Sequence, residues 1–401
     1  AFTDDLSTGA LLEAAAAAGA ASRLGGGPRF LDLRPRERRR LHPYRQLPAD
    51  CEKDRKATLL MRVDKAARDH SDYIRQVMVS YSDQEKRIAI ANSEGVWAED
   101  RRVYVRLTVR TVASRNGEIQ TGLKTIGRLA GMELLEGSVP EELGRRAARQ
   151  AVTNLLASPA PSGRMTVIIT NAWGGVLFHE ACGHGLEADA VQKGSTVFAG
   201  RLGQRVASPL VTAVDDSTIP NEWGSFEFDD EGEPARRTVL IEEGVLREYM
   251  YDLNRARVED RPSTANGRRE SYQHLPIPRM TNTFIAAGGS SPEEILSATE
   301  RGFFARDLRG GQVNPATGDF VFTVSEGYLV RGGKLDEPVR GATLVGNGPE
   351  VLLKIDMVGN DLGFGPGMCG KDGQSIPAAT GQPTLRVSEL TVGGTARGDS
   401  N

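Results

Sequence analysis

The spacing of hydrophobic and polar positions changes several times along the chain, and each change predicts an element. Leu11 to Ala21 is an almost unbroken Ala-rich stretch that reads as a helix, with Asp4 or Asp5 able to cap it and Gly25-Gly26-Gly27-Pro28 to end it. Gly25 to Pro48 is rich in Pro, Gly and Arg and reads as a loop or linker. A second helix is expected from about Asp50 to His70, because Leu59, Leu60, Val63, Ala66, Ala67 and His70 recur on one helical face. From Tyr73 to Ile126 the pattern becomes β-branched and aromatic, as in Arg75 to Tyr81 and Val103 to Val109. Turn pairs such as Asn116-Gly117 separate these runs, which predicts an antiparallel meander. Ser138-Val139-Pro140-Glu141 then combines a capping box with an early proline, and Leu143 to Leu156 form a helix that must stop before Pro159 and Pro161.

A boundary is expected there, dividing an N-terminal α+β region, 1–160, from a β-rich region, 161–401. The second region opens with a short buried strand, Met165 to Ile169, then Gly174-Gly175 and an apolar helix start at Val176-Leu177-Phe178. From 205 to 395 short strands and Gly-rich turns dominate, broken by one clear helix with Ser291 or Ser290 as cap, Pro292 in its first turn and Ile295-Leu296 inside. The fold class is therefore α+β: an α/β-meander region followed by a β-rich, barrel-like domain that carries the chemistry.

Composition narrows the function classes. A chain of 401 residues, 39% hydrophobic and 26% charged, is neither disordered nor fibrous and has room for more than one core. Fifty basic against 53 acidic side chains leave a formal charge of −3, so no global field favours nucleic acid or an anionic membrane. The one dense basic run, Arg34, Arg36, Arg38, Arg39 and Arg40, lacks aromatic interleaving and reads as a solvated loop. Three scattered cysteines do not form a disulfide scaffold, and no apolar stretch approaches a membrane span, so a soluble cytoplasmic protein is expected. The opening Phe2-Thr3-Asp4-Asp5 reads like the middle of a chain, and a preceding segment is expected.

The sharpest chemical feature is His179-Glu180-Ala181-Cys182-Gly183-His184. Neutral imidazole is the commonest zinc ligand, and a carboxylate beside it can accept a proton from activated water. With five histidines in the whole chain, two within six positions beside a glutamate are hard to attribute to chance. The spacing is one residue longer than His-Glu-x-x-His, and five steps of about 100° put the second histidine ~140° round a regular helix from the first. One metal therefore requires a distortion, a π-bulge or a helix end, and Gly183 is where it is expected. A third protein ligand is needed as well. Cys182, Glu187, Asp189 and Cys369 are all candidates, and spacing does not choose between them. Cys369 stands in a Gly-rich segment that reads as an exposed loop, whereas Cys51, before an apolar helix face, reads as structural.

The stretch from His179 to Asp189 resembles the His-Glu-x-x-x-His signature of the TldD/PmbA family of zinc metallopeptidases. Further similar segments follow in the family's order: Asp229 to Gly232, Asn266 to Tyr272, Pro278 to Thr283, Gly310 to Val313, Gly346 to Pro349 and the Cys369 segment. The resemblance covers nearly the whole chain. It implies an N-terminal α+β region, a β-rich catalytic domain, and a dimer around an enclosed cavity. It also implies zinc held by His179, His184 and Cys369, with Glu180 as the base. The family includes non-catalytic partner subunits without the histidine motif; this chain keeps it and resembles the catalytic kind. Two features depart from the family pattern: the absent preceding stretch, and Met368, where a smaller or polar residue is expected.

The expected activity is hydrolysis of unfolded or short peptides, by a homodimer or by a heterodimer with a related non-catalytic subunit. The alternative is a non-catalytic scaffold or regulatory subunit with a structural metal, in which a fourth protein ligand such as Cys182 closes the site. His274 and Arg268 are candidate substrate contacts, set against simple loop packing. His42 and His70 read as loop and helix-end residues. Gly370 to Gln374 lacks the order of a phosphate loop, and the acidic run Glu227, Asp229, Asp230, Glu231 and Glu233 reads as a solvated turn rather than a second metal site.

Overall fold

The computed structural model describes residues 1–21, 32–314 and 316–396, so the glycine stop expected at 25–28 lies outside the described residues. The first helix spans Thr8–Ala21 and none of its residues is buried. Neither Asp4 nor Asp5 caps it: the Ser7 hydroxyl accepts the Ala10 N–H at 3.3 Å, while Asp5 accepts the N–H of Ser7.

Helix Lys53–Arg68 turns Val63 and Ala67 fully inward, with Leu59 and Leu60 half-buried beside them. His70, counted on that face from its spacing, lies past the helix end and is exposed. Strands Ile74–Ala91, Val96–Arg115 and Glu118–Arg128 pair antiparallel in sequence order. Asn116 and Gly117 both take positive φ, 51° and 82°, as the twist-matched two-residue hairpin requires. Helix Val139–Leu156 packs with Lys53–Arg68 over one face of this sheet, around Val105, Leu107, Val109, Leu143 and Ala151. A Cβ at Gly122 would collide with the Ala147 carbonyl, so this glycine sets how closely helix and sheet approach. The capping box does not form. Ser138 adopts φ −97°, ψ 1° and its side chain caps nothing, while Glu141 pairs with Arg62 instead.

In the C-terminal half, strands Gly163–Ile169, Leu385–Gly393, Thr343–Asn347, Asp319–Arg331 and Arg301–Val313 hydrogen-bond in that order. The last returns to the first in parallel, closing a five-stranded barrel. A six-stranded sheet stands beside it, ordered Gly363–Lys371, Gln374–Gln382, Asn282–Ile285, Ala213–Asp216, Arg237–Glu242, Val245–Leu246. The short helix Val176–Ala181 touches strands of both, and its Leu177 and Phe178 are buried in their common core. Ser291, not Ser290, caps helix Pro292–Ser297, through a complete capping box with Glu294. The architecture is α+β, with a barrel in its β-rich half.

The acidic run, expected in solvent, is largely buried, while the basic run stays mostly exposed as expected, with Arg34, Arg38, Arg39 and Arg40 at the surface. Glu227, Asp229 and Asp230 are buried, and their carboxylates accept backbone N–H groups or pair with arginine. The basic run supplies part of that cover: Arg36 reaches Glu233 at 3.1 Å, and Arg39 donates its N–H to Glu227. Tertiary contacts with arginines and backbone N–H groups explain the burial of the acidic run. Among the described residues, no helix is long and apolar enough to cross a membrane.

Candidate metal centre

The backbone breaks where the histidine spacing demands it. Helix Val176–Ala181 ends at Cys182, with φ −131° and ψ −44°, and a separate 3-10 turn, Gly183–Leu186, carries His184. The helix-end form of the expected distortion is the one adopted, one residue before Gly183. Gly183 is needed for another reason: a Cβ there would strike the Met280 sulfur. The segment after the turn is pinned by backbone bonds between Leu186, Ala188 and Met250, so His184 is swung back toward His179 on a fixed arm.

The third element is strand Gly363–Lys371, where Cys369 pairs opposite Ile376. Cys369 is therefore a buried strand residue rather than part of an exposed loop; Met368, beside it, points the other way and is half exposed. The turn after it is a hairpin at Asp372-Gly373, with φ 50° and 73°, which excludes a phosphate loop. Arg279, fully buried, holds the Cys369 carbonyl.

Donor atoms of His179, His184 and Cys369 all lie within 4.8 Å of one another, and this is the one such group among the described residues. The imidazole rings meet edge to face with centroids 5.3 Å apart, and Cys369 Sγ lies 3.4 Å from His184 Nε2. Burial pushes the Cys369 thiol up, but the His179 and His184 imidazoles outweigh that and bring it down to about 4. His184 is held well above its usual range: burial opposes its charge, but Glu187 and Cys369 favour it more. His184 Nδ1 is 3.0 Å from Glu187 Oε2. Burial raises the Glu187 carboxyl, and His184 and Lys371 together lower it to about 2. Lys371 Nζ in turn bridges Glu187 at 3.0 Å and Asp189 at 2.6 Å.

The candidates for third ligand thus separate by position. Glu187 and Asp189 form a charged buttress behind His184, Cys182 lies in the apolar core with its thiol pushed up by burial, and Cys369 faces the histidines. The donor set suits zinc: two imidazoles and a readily ionised thiol, with His179 Nδ1 buried and lacking a protein hydrogen-bond partner. Glu180 lies at the edge, its side chain 34% exposed and Oε2 3.9 Å from His184 Nε2. A cavity of about 360 Å³ opens over His179, Glu180 and Cys369, lined also by Trp173, Arg106 and Arg309. A larger one, about 650 Å³ and lined by Phe320, Val345 and Val351, shares no lining residue with it.

The other two expected contacts sit apart from this cavity. Arg268 is buried and donates to the carbonyls of Met280 and Pro377, bracing the strand after Cys369 and lining a neighbouring cavity. His274 is half-buried, with Nδ1 2.9 Å from the Ser271 hydroxyl. Sequence reasoning missed Lys371, Arg279 and Arg106. A lysine two residues after the cysteine was a visible signal for the first; the others are ordinary arginines until the fold places them.

Comparison with known proteins identifies the family. The PmbA/TldA metallopeptidase central domain matches residues 47–155, and the PmbA/TldA metallopeptidase C-terminal domain matches 162–394. The chain is 44% identical over 350 residues to a protein named Metalloprotease TldD homolog from Haemophilus influenzae, covering 86% of this chain and 73% of that protein. A Zinc metalloprotease TldD homolog from Saccharolobus solfataricus is 31% identical over 247 residues, 61% of this chain and 55% of its own length. A crystal structure from Thermotoga maritima superposes with TM-score 0.78 at 26% identity, covering 93% of this chain and 82% of that one. That of TldE from Thermococcus kodakarensis, at 20% identity, gives 0.77 over 97% and 86% and shows the shared fold. With both domains matched in order and a relative this similar along most of the chain, the protein belongs to the PmbA/TldD metallopeptidase family.

Proposed function

We propose that this protein is a zinc-dependent peptidase acting on unfolded or short peptides, with His179, His184 and Cys369 as metal ligands and Glu180 as general base. The observation that carries the reading is the convergence of three donors within 4.8 Å beside a half-exposed carboxylate, at the floor of an open cavity. The metalloprotease names of its relatives support it, one of them naming zinc. When bound, zinc supplies Lewis acidity that polarises a peptide carbonyl and acidifies water. Glu180 takes the proton of the attacking water and returns it to the departing amine. Glu187, fixed by Lys371, holds the His184 ring in place through Nδ1, leaving Nε2 free to face Cys369. The alternative, a structural metal closed by a fourth protein ligand, receives no support from Cys182, which lies in the apolar core.

The test is Glu180→Gln. Zinc content should remain one per chain while hydrolysis of an unstructured peptide mixture falls by about 10²- to 10⁴-fold. Bound zinc without cleavage by the wild type would favour a non-catalytic subunit. Cys369→Ser should lose zinc and activity together. We further infer a dimer with a second copy or a related non-catalytic subunit, a reading that the likeness to TldE supports and that the mass in solution, alone and with such a partner, tests. Three free cysteines fit a reducing compartment, in keeping with a cytoplasmic protein.

A further inference from the structure

Among the described residues the fully buried guanidinium groups are engaged through their terminal nitrogens, although the Nε of Arg268 and of Arg279 lacks a partner. Arg102 pairs with Asp100 and Asp230 at 2.9 and 3.0 Å, Arg268 binds two carbonyls, and Arg279 holds Cys369. Arg106, on strand Val96–Arg115, is the departure. It is half-buried, its Nε is shielded from solvent without a hydrogen-bond partner, and its guanidinium forms no ion pair among the described residues. The Trp223 ring lies beside it, 6.0 Å from guanidinium carbon to ring centre. Trp223 donates its indole N–H to the Gly367 carbonyl at 2.7 Å, two residues before Cys369. The cation therefore lies at the outer range of a cation–π contact with the side chain that holds the strand bearing Cys369.

Arg106 lines both the cavity over His179 and Glu180 and the neighbouring one, where Lys86 and Arg269 add positive charge and Asp83, Asp230 and Glu270 negative. Asp83 and Asp230 are held by Lys56 and Arg102, Glu270 accepts the Ser375 N–H, and neither Glu270 nor Glu180 forms an ion pair with Arg106. Asp307, an acid in the first cavity, is already taken by Lys124 and Gln150. Arg309, at the same cavity, also lacks an ion pair among the described residues. Burial disfavours the charged form of Arg106. A half-desolvated, planar, two-pronged donor facing a cavity is satisfied best by a carboxylate, which takes both prongs at once.

We propose that Arg106 is a specificity-determining residue that binds a carboxylate of the peptide substrate, placing the N-terminal sheet in the recognition of what the C-terminal half cleaves. The inference rests on the peptidase reading for its substrate, but its binding step is separable from cleavage. The carboxylate comes from the free chain end or from an acidic side chain, and four otherwise identical peptides distinguish these sources: C-terminal acid against amide, and internal Asp against Asn. Binding of each, fluorescently labelled, is measured by anisotropy to the zinc-loaded Glu180→Gln protein, and kcat/KM of each is measured with the wild type. One acid should be preferred over its amide by about 10- to 100-fold in both measurements, the worth of a charge-assisted hydrogen-bonded pair. In Arg106→Gln that preference should collapse toward unity, and Arg106→Lys should restore part of it. Circular dichroism and zinc content confirm that the variants are folded. Acid-selective, Arg106-dependent binding without cleavage would retire the peptidase reading and leave this inference standing. Equal binding of acid and amide, no binding of either, or a preference unchanged in Arg106→Gln would overturn the inference, whether or not peptides are cleaved.

Discussion

The two halves of the molecule bury different things. Around the N-terminal sheet the core is aliphatic: Val63, Ala67, Val105, Leu107, Val109, Leu143, Ala147 and Leu155, closed by long regular strands of 18, 20 and 11 residues. Around the metal centre, strands of four to six residues such as Ala213–Asp216, Arg237–Glu242 and Asn282–Ile285 leave many backbone groups outside any ladder. Buried polar side chains take their place. Asp215 accepts from the Thr281 N–H and hydroxyl, the Thr283 hydroxyl and the Asn266 amide, and Asn282 binds Asp216 and Ser225. An aliphatic core tolerates lateral adjustment, whereas a hydrogen-bonded frame fixes atoms to fractions of an ångström, which converging metal donors require.

Breaking the frame should therefore cost more than loosening the aliphatic core. Asp215→Ala orphans four buried donors and is expected to lower stability by more than about 3 kcal/mol and to abolish zinc retention, read by thermal melting with metal analysis. Gly122→Ala drives a methyl into the Ala147 carbonyl and should lower stability by about 1–3 kcal/mol, with zinc per folded chain unchanged; zinc loss in step with it would show that the halves are not separable in this way. Glu187→Gln removes the charge behind His184 and should weaken zinc binding about 10- to 100-fold in chelator competition, and it should also lower the melting temperature of the metal-free protein, because the buried Lys371 and His184 lose a carboxylate partner. Lys65→Ala, deleting an exposed pair with Asp69 on the outer face of helix Lys53–Arg68, should change stability by under about 0.5 kcal/mol and leave zinc unaffected.

The same contrast governs how much was legible in advance. Periodicity located Lys53–Arg68, the meander and its Asn116-Gly117 hairpin, and Val139–Leu156, because both helices have one wet and one dry face and the strands are long and bounded by clear turn signals. It misjudged local details that depend on competing partners: Ser138 lost Glu141 to Arg62, and the first helix took Ser7 rather than an aspartate as its cap. In the C-terminal half the strands alternate poorly, because polar residues are buried on purpose of bonding. Glu227, Asp229, Asp230 and Cys369 accordingly looked like surface when they are interior, although Met368, Gly370 and the Asp372-Gly373 turn around Cys369 are exposed.

What the sequence determined by itself was the candidate donor chemistry. His179, Glu180 and His184 are fixed in kind and order by local spacing, and that spacing already demanded a break in the helix for one metal to be shared. What only the tertiary structure decided was which distant groups converge on the histidines: Cys369 from a strand rather than Cys182 from the neighbouring turn, Glu187 and Lys371 behind His184, and Arg106 without an ion pair among the described residues across the cavity. The physical reason is range. Helix periodicity acts over a few residues, whereas the 185 residues separating His184 from Cys369 are bridged by the pairing of the six-stranded sheet and by buried arginines that no local pattern announces.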